Sequence, residues 1–437
     1  MTYQSLNPAT GELLKKFDQL TETQLEAKLA KASECFAKWK NTPYAERAKI
    51  IAKAGMLLQD RVEYLAKTMT LEMGKRIEEA RGEVEFSAKI MAYYAKNAEE
   101  FLADTKLNPE QGDGHMESSP IGVIFCVEPW NFPYYQLARV AGPHLMAGNA
   151  LVIKQAGIIP QCAIAFEKIL TDAGAPDGLY TNLMISHEQS ESVVDDPRIR
   201  GVALTGSVTA GRIIAGRAAK ALKPTSMELG GADAFIVLED ADMDHALKWA
   251  VWGRIYNAGQ TCVASKRFII VESVADQFME GFKAAFETLE AGDPLDEKTT
   301  LGPLSTEQAL VDLLKQVDVA VEHGATVVVG GKRLNRAGSY MQPTILTDVK
   351  PDNPAFRDEF FGPVAMVFRV KDEAAAIALA NDSEFGLAGA VFTSDLEAGK
   401  RVASAVEAGM MFINNLDWLG RVDKAQPAMD CGYLDEA

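Results

Sequence analysis

The sequence has no long apolar run. None of its 437 residues belongs to a stretch that reaches the roughly 18 consecutive apolar residues of a membrane-spanning helix. The N-terminal segment MTYQSLNPATGELLKKF also lacks the apolar centre of a secretion signal. We therefore expect no contact with a membrane and a cytoplasmic location.

Cysteine and histidine are scarce. The five cysteines are an odd number without a C-x-x-C pair, which argues against a disulfide framework and favours the cytoplasm. The five histidines are scattered, and none has an H-x-x-H or H-E-x-x-H partner. We expect no metal site.

Basic residues are outnumbered. Lysine and arginine total 44 against 61 aspartates and glutamates, which gives a formal net charge of −17. An acidic surface repels phosphate backbones, so nucleic acid is not an expected partner. The same excess of acid keeps a protein soluble, and that simpler explanation accounts for most of it.

The order of apolar and polar segments indicates the fold class. The length suits two or three domains. Residues from about 20 to 102 have apolar positions at helical spacing, and 103–120 are polar and rich in turn residues, as in a connection or an exposed ribbon. Strand-like and helical segments alternate from 122 to about 228 and again from 230 to 414. This predicts an α/β protein with two doubly wound domains and a cleft between them.

Cys262 is the first candidate for chemistry. Free cysteine is usually a small buried hydrophobe, and composition alone favours that interpretation. However, Cys262 follows the polar stretch Asn-Ala-Gly-Gln-Thr, which suits an exposed turn, and it precedes Lys266 and Arg267. Positive charge and backbone N–H groups there would stabilise a thiolate.

A nucleophilic cysteine normally needs a base. No histidine is near Cys262 in the sequence, so a carboxylate is the other option. Glu228, in SMELGGADAFIVLE, is followed by two glycines that allow close approach of a ligand. A carboxylate among apolar residues would have a raised pKa and could take a proton from water. An ordinary surface or capping glutamate is the alternative.

Two further features suit a phosphate-bearing ligand. GSVTAG (206–211) follows a strand-like segment and opens a helix, whose free N–H groups could contact a phosphate. Lys154 ends the strand-like ALVIK, where a ribose or phosphate could be held. GSVTAG alone is a weak signal, because its spacing is not G-x-G-x-x-G.

Four motifs in order resemble the aldehyde dehydrogenase superfamily. They are PWNFP (129–133), ELGG (228–231), NAGQTC (257–262) and EFFGP (359–363), and the likeness extends from near the N-terminus to about residue 418. The resemblance implies Cys262 as nucleophile, Glu228 as general base, and Asn131 with the Cys262 N–H as oxyanion donors. It also implies a cofactor site formed by six residues: Trp130, Lys154, Gly206, Ser207, Glu359 and Phe361.

Within the superfamily, the chain most resembles the bacterial branch that oxidises succinate semialdehyde. Arg139 and Tyr135 match the substrate-binding positions there, and an arginine fork suits a distal carboxylate. Many relatives carry a second arginine where this chain has Tyr256, so glutarate semialdehyde or a broader range of aldehydes stays open.

The resemblance leaves the cofactor as NAD or NADP. NAD-specific members commonly carry a glutamate where this chain has Gly157, so nothing here repels a 2′-phosphate. Two alternative functions compete with this one. A CoA-acylating enzyme would pass the thioester to CoA, but such relatives often lack the base, so Glu228 argues for hydrolysis. The other alternative is a family member that binds cofactor without turnover.

The resemblance also divides the chain. It implies a cofactor-binding domain (1–105 and 122–228), an oligomerisation ribbon (106–121), a catalytic domain (229–414) and an atypical C-terminal tail (415–437). After FINNLDW (412–418) the family's glycine-rich stretch and final strand are not recognisable. The resemblance implies a homodimer or homotetramer, in which the final strand of one subunit extends the sheet of its neighbour. Without that strand the edge of the neighbour's sheet would stay unpaired, and we expect a weaker assembly.

Overall fold

The computed structural model of the protein describes residues 3–109 and 111–417. Its helices overlap the predicted helical segments, but α9 ends at Ile255, before the turn with positive φ at Asn257 and Ala258. The α-helices in this part of the chain are α1 (Glu22–Trp39), α2 (Tyr44–Asp60), α3 (Val62–Met73), α4 (Ile77–Phe101), α5 (Tyr135–Ala147), α6 (Pro160–Ala173), α7 (His187–Asp195), α8 (Val208–Lys220), α9 (Met243–Ile255), α10 (Glu272–Glu287), α11 (Glu307–Glu322), α12 (Glu373–Asn381) and α13 (Leu396–Ala405).

Most of the strands lie in two larger sheets. The strands are β1 (Tyr3–Leu6), β2 (Leu13–Phe17), β3 (Thr105–Leu107), β4 (Gly114–Met116), β5 (Val123–Glu128), β6 (Ala150–Gln155), β7 (Tyr180–Asn182), β8 (Ile199–Thr205), β9 (Thr225–Glu228), β10 (Asp233–Val237), β11 (Ser265–Val271), β12 (Thr326–Val329), β13 (Thr344–Thr347), β14 (Val364–Val370), β15 (Ala388–Phe392) and β16 (Met410–Ile413).

The first larger sheet is parallel and has the order β7-β6-β5-β8-β9. The chain moves outward from β5 through β6 to β7, and then returns to the other side of β5 with β8 and β9. The strand order therefore reverses at β5, and ligands of open α/β sheets bind beyond the carboxyl ends of strands at such a point. Segments 129–131 and 206–207 follow β5 and β8 and lie at that place.

The second larger sheet has the order β12-β13-β14-β11-β10-β15-β16. Its pairs are parallel except at one edge, where β12 runs antiparallel to β13. The sequence pattern did not indicate this reversal. A loop without a helix joins β12 to β13, and antiparallel neighbours need no helical crossover.

Capping residues and apolar faces explain the helices around the sheets. Thr21 and Gln24 form a capping box at the start of α1, and Ser207 accepts from the Ala210 N–H at the start of α8. The N-terminal helices pack on the first sheet, with Trp39 buried and its Nε1 donating to the Leu145 carbonyl at 3.0 Å. The second sheet packs its aromatic side chains closely, as in the stacked pair Phe235 and Phe392.

The polar segment before β5 forms a two-stranded antiparallel ribbon, β3-β4. Leu107 and Met116 on this ribbon are about half exposed. None of the described helices is both long and apolar enough to cross a bilayer. The predicted tail lies mostly outside the described residues, which end at 417.

Candidate active site

A cavity of about 270 Å³ lies beyond the carboxyl ends of β5 and β8. Segments from both larger sheets line it, so it occupies the space between the two sheet regions. Seven of the residues implied by the four motifs and GSVTAG face this cavity: Trp130, Asn131, Gly206, Ser207, Cys262, Glu359 and Phe361.

Of the features predicted to suit a phosphate, Gly206 and Ser207 line the cavity. Ser207 caps α8, whose first N–H groups have no partners within the helix and carry the positive end of its dipole. This arrangement of donors suits the diphosphate of a dinucleotide. Trp130 and Phe361 meet edge to face with ring centroids 5.8 Å apart, and they supply apolar surface next to it.

The turn before Cys262 has an uncommon backbone. Asn257, Ala258 and Gly259 all have positive φ, at 54°, 52° and 75°. Ala258 gains nothing from this conformation, which costs a non-glycine residue about 1 kcal/mol or more. At Gly259 a Cβ would collide with the Gly362 carbonyl, so glycine is required. Such strain is held by the surroundings and is typical of functional sites.

Hydrogen bonds join Asn131 to this turn. Its Nδ2 donates to the Gln260 carbonyl at 3.1 Å, and Asn257 Nδ2 donates to the Asn131 carbonyl at 2.9 Å. Asn131 is 4% exposed, and its Oδ1 is buried without a hydrogen-bond partner. An amide nitrogen has two N–H donors. One is used by Gln260, which leaves the other for an oxygen in the cavity.

A buried ion pair, which the sequence pattern does not indicate, supports the Asn131 backbone from the side away from the cavity. Lys75 Nζ donates to the Asn131 carbonyl at 2.8 Å and pairs with Glu83, and both side chains are fully buried. Glu83 also accepts from the backbone N–H groups of Tyr134 and Tyr135. A charged residue on the apolar face of a predicted helix was the one available signal.

The Cys262 side chain is partly buried at the cavity wall. Burial raises the pKa of its thiol to about 11. The cations Lys266 and Arg139 act in the opposite direction, whereas Asp233 and Glu359 raise the pKa further. In this state the thiol is protonated at neutral pH, so a proton must leave before the sulfur can attack.

Glu228 and Arg139 lie in an adjoining pocket. It is also lined by Glu128 and His144, and it shares Thr205 with the main cavity. Glu228 ends β9, directly before Leu229 and Gly230 of the main cavity wall. Arg139 Nη2 donates to Thr205 Oγ1 at 3.1 Å. Both predicted residues therefore lie next to the cavity that contains Cys262, and Thr205 lines both spaces.

Two predicted residues lie farther back. Tyr135 stacks on Phe86 with centroids 5.5 Å apart, and the Arg139 guanidinium lies over its ring. Lys154 is next to last on β6 and is 4% exposed. Burial lowers the pKa of Lys154 to about 8. No group of three or more potential metal ligands occurs within 3–109 and 111–417.

The chain belongs to the aldehyde dehydrogenase family, whose sequence model matches residues 1–426. The succinate-semialdehyde dehydrogenase [NADP(+)] of Deinococcus radiodurans is 44% identical over 413 residues, which cover 94% of this chain and 87% of that protein.

Solved structures agree with this assignment. The succinic semialdehyde dehydrogenase of Streptococcus pyogenes, solved in complex with NADP+, superposes with a TM-score of 0.93 at 44% identity, covering 94% of this chain and 91% of that one. The structure of Gox0499 superposes with a TM-score of 0.94 at 50% identity, covering 95% and 91%.

Proposed function

We propose that this protein oxidises an aldehyde with a distal carboxylate, succinate semialdehyde first of all, to the carboxylic acid with NADP+. The observation that carries the proposal is the single cavity that contains the Cys262 side chain, the Asn131 amide, and the Ser207 end of α8. The two relatives named for succinate semialdehyde and NADP support the choice of substrate and cofactor.

The reaction follows from the residue types. The Cys262 thiol first loses its proton to solvent. The thiolate then adds to the aldehyde carbon, and the oxygen that becomes negative is stabilised by Asn131 Nδ2 and the Cys262 N–H. When bound, NADP+ would supply the acceptor for the hydride that leaves this carbon. A thioester on Cys262 remains. Glu228 takes a proton from water, the hydroxide attacks the thioester, and the acid and the thiolate are released.

The choice of NADP over NAD has a local reason. A carboxylate near the 2′-phosphate would repel it. Gly157, two residues after β6, carries no charge. Lys154, next to last on β6, supplies a cation on the same strand. We assign Lys154 and Glu359 to the ribose hydroxyls, and Trp130, Gly206, Ser207 and Phe361 to the rest of the dinucleotide.

Arg139 is the proposed partner of the substrate's carboxylate. It lies close enough to Cys262 to influence the thiol, and its Nη2 reaches Thr205 on the wall of the main cavity. Its guanidinium can bind a carboxylate bidentately. Tyr135 would then position the guanidinium, because the ring lies beneath it.

NADPH formation at 340 nm tests the substrate and the cofactor together. We expect turnover of succinate semialdehyde with NADP+, slower turnover with NAD+, and none in Cys262→Ala. Butanal has the same chain length without the carboxylate and is the matched control. Arg139→Gln should raise KM for succinate semialdehyde about tenfold or more and leave butanal almost unaffected. A folded protein that binds NADP+ but oxidises none of these aldehydes would contradict the proposal.

We also propose that the chain assembles through the ribbon 106–121. Leu107 and Met116 expose apolar surface there that a second copy could cover. Light scattering gives the mass directly, and a monomer at micromolar concentration would contradict this. The atypical tail, which we expect to weaken the assembly, lies mostly outside the residues that the structure describes. A tight dimer or tetramer would count against that weakening.

A further inference from the structure

A buried lysine lies beneath the turn that contains Cys262. Lys266 is the second residue of β11, and its side chain is 0% exposed. Its Nζ donates to the carbonyl oxygens of Thr261 at 3.0 Å, Cys262 at 2.6 Å and Ala264 at 3.3 Å. One ammonium group therefore fixes the backbone on both sides of the nucleophile.

The same ammonium also contacts the carboxylate of Glu359, which we have assigned to the ribose hydroxyls of the cofactor. Glu359 Oε1 lies 3.3 Å from Lys266 Nζ and accepts from the Gly231 N–H at 3.1 Å. Glu359 also lines the main cavity with Cys262. The carbonyl of Cys262 and the carboxylate of Glu359 thus share one buried cation.

Other charges face this region from the neighbouring elements. Asp233 on β10 is 5% exposed, and burial raises its pKa to about 7. Arg254 on α9 is fully buried, and its Nη2 donates to the Gly259 carbonyl at 2.6 Å. Arg139 on α5 acts on the thiol from the side of the adjoining pocket. Among these groups Glu359 is the anion in direct contact with the Lys266 ammonium.

We propose that Lys266 is a positioning residue that couples Cys262 to Glu359. It holds the carbonyl groups of the nucleophile's turn, and the charge it offers to the thiolate depends on whether Glu359 neutralises it. A ligand that draws Glu359 away would leave the ammonium less compensated and make Cys262 more reactive. The inference rests on the proposed function only in taking Cys262 as the nucleophile.

The test measures the rate at which iodoacetamide alkylates Cys262, followed by mass spectrometry at pH 8.5 without substrate or cofactor. Lys266→Met removes the cation and should slow alkylation about tenfold, because a smaller fraction of the thiol is ionised. Glu359→Gln removes the opposing anion and should accelerate it severalfold. In the double variant the effect of Glu359→Gln should be lost. Lys283→Met, on the exposed side of α10, is the control and should match the unsubstituted protein.

Two results would overturn the proposal. One is a folded Lys266→Met protein that melts at a lower temperature but alkylates at the original rate, as a purely structural lysine would predict. The other is an unchanged rate in Glu359→Gln, which decides the matter even if Lys266→Met does not fold. Because no substrate is present, these rates do not depend on which aldehyde the protein oxidises.

Discussion

Replacing Asn131 by alanine isolates the proposed oxyanion donor. The substitution removes Nδ2, which contacts the Gln260 carbonyl, and Oδ1, which is buried without a partner. Losing the hydrogen bond costs about 1 kcal/mol, and removing an unsatisfied acceptor offsets part of this cost. The Lys75 and Asn257 contacts go to the backbone carbonyl of Asn131 and persist. The protein should therefore remain folded.

The effect on catalysis should be much larger than the effect on stability. A donor directed at a developing oxyanion contributes about 10²–10³ in kcat, or about 2.7–4 kcal/mol. KM should change little, because the interaction with the ground-state aldehyde oxygen is weaker than that with the oxyanion.

Steady-state kinetics with succinate semialdehyde and NADP+ measure kcat and KM, and urea denaturation measures the free energy of unfolding. Iodoacetamide alkylation of Cys262 serves as the control and should be within about twofold of the original rate, since it forms no oxyanion. A loss in kcat below about tenfold, in a variant with normal stability, would refute the assignment of Asn131.

Three further outcomes are expected. In the free enzyme, alkylation of Cys262 should rise about tenfold per pH unit from pH 7 to 9, because the pKa of the thiol is about 11 and only the thiolate reacts; a plateau below pH 8 would contradict this. Gly259→Ala should lower the free energy of unfolding by about 2 kcal/mol or more in urea, since φ is 75° and a Cβ meets the Gly362 carbonyl; a loss under about 0.5 kcal/mol would show that the turn adapts. Lys75→Met should destabilise the protein by about 3–5 kcal/mol by leaving Glu83 buried and unpaired, as urea denaturation would show; an unchanged midpoint would be the contrary result.

The sequence allowed the alternating strands and helices to be predicted because period and turn residues are local signals. The alternation expected from 122 to about 228 is present, with a helix between each pair of successive strands from β5 to β9. The antiparallel β12 could not be predicted, because strand direction depends on pairing over a long loop. Short strands such as β1 and β13 carry too few residues for a clear pattern.

The motifs indicated which residues would meet in the cavity, and seven of them do. They did not indicate the supporting contacts. Lys75 and Glu83 lie 56 and 48 positions before Asn131, so tertiary packing, including that of α4 against α5, brings them together. The sequence indicates Lys266 only as a charge near Cys262, whereas the structure buries it beneath the turn. Burial of a charged side chain is a tertiary property that one sequence does not display.

The most direct test of the account is a pre-steady-state burst experiment on Glu228→Gln with excess substrate and NADP+. Without the base, acylation should proceed and hydrolysis should stall. We expect a burst of about one NADPH per subunit, followed by turnover at least about 100-fold slower than that of the unsubstituted protein. After acid quenching, mass spectrometry should find a succinyl group on Cys262. No burst and an unmodified Cys262, or a succinyl group on another residue, would contradict the central claim that Cys262 carries the acyl group.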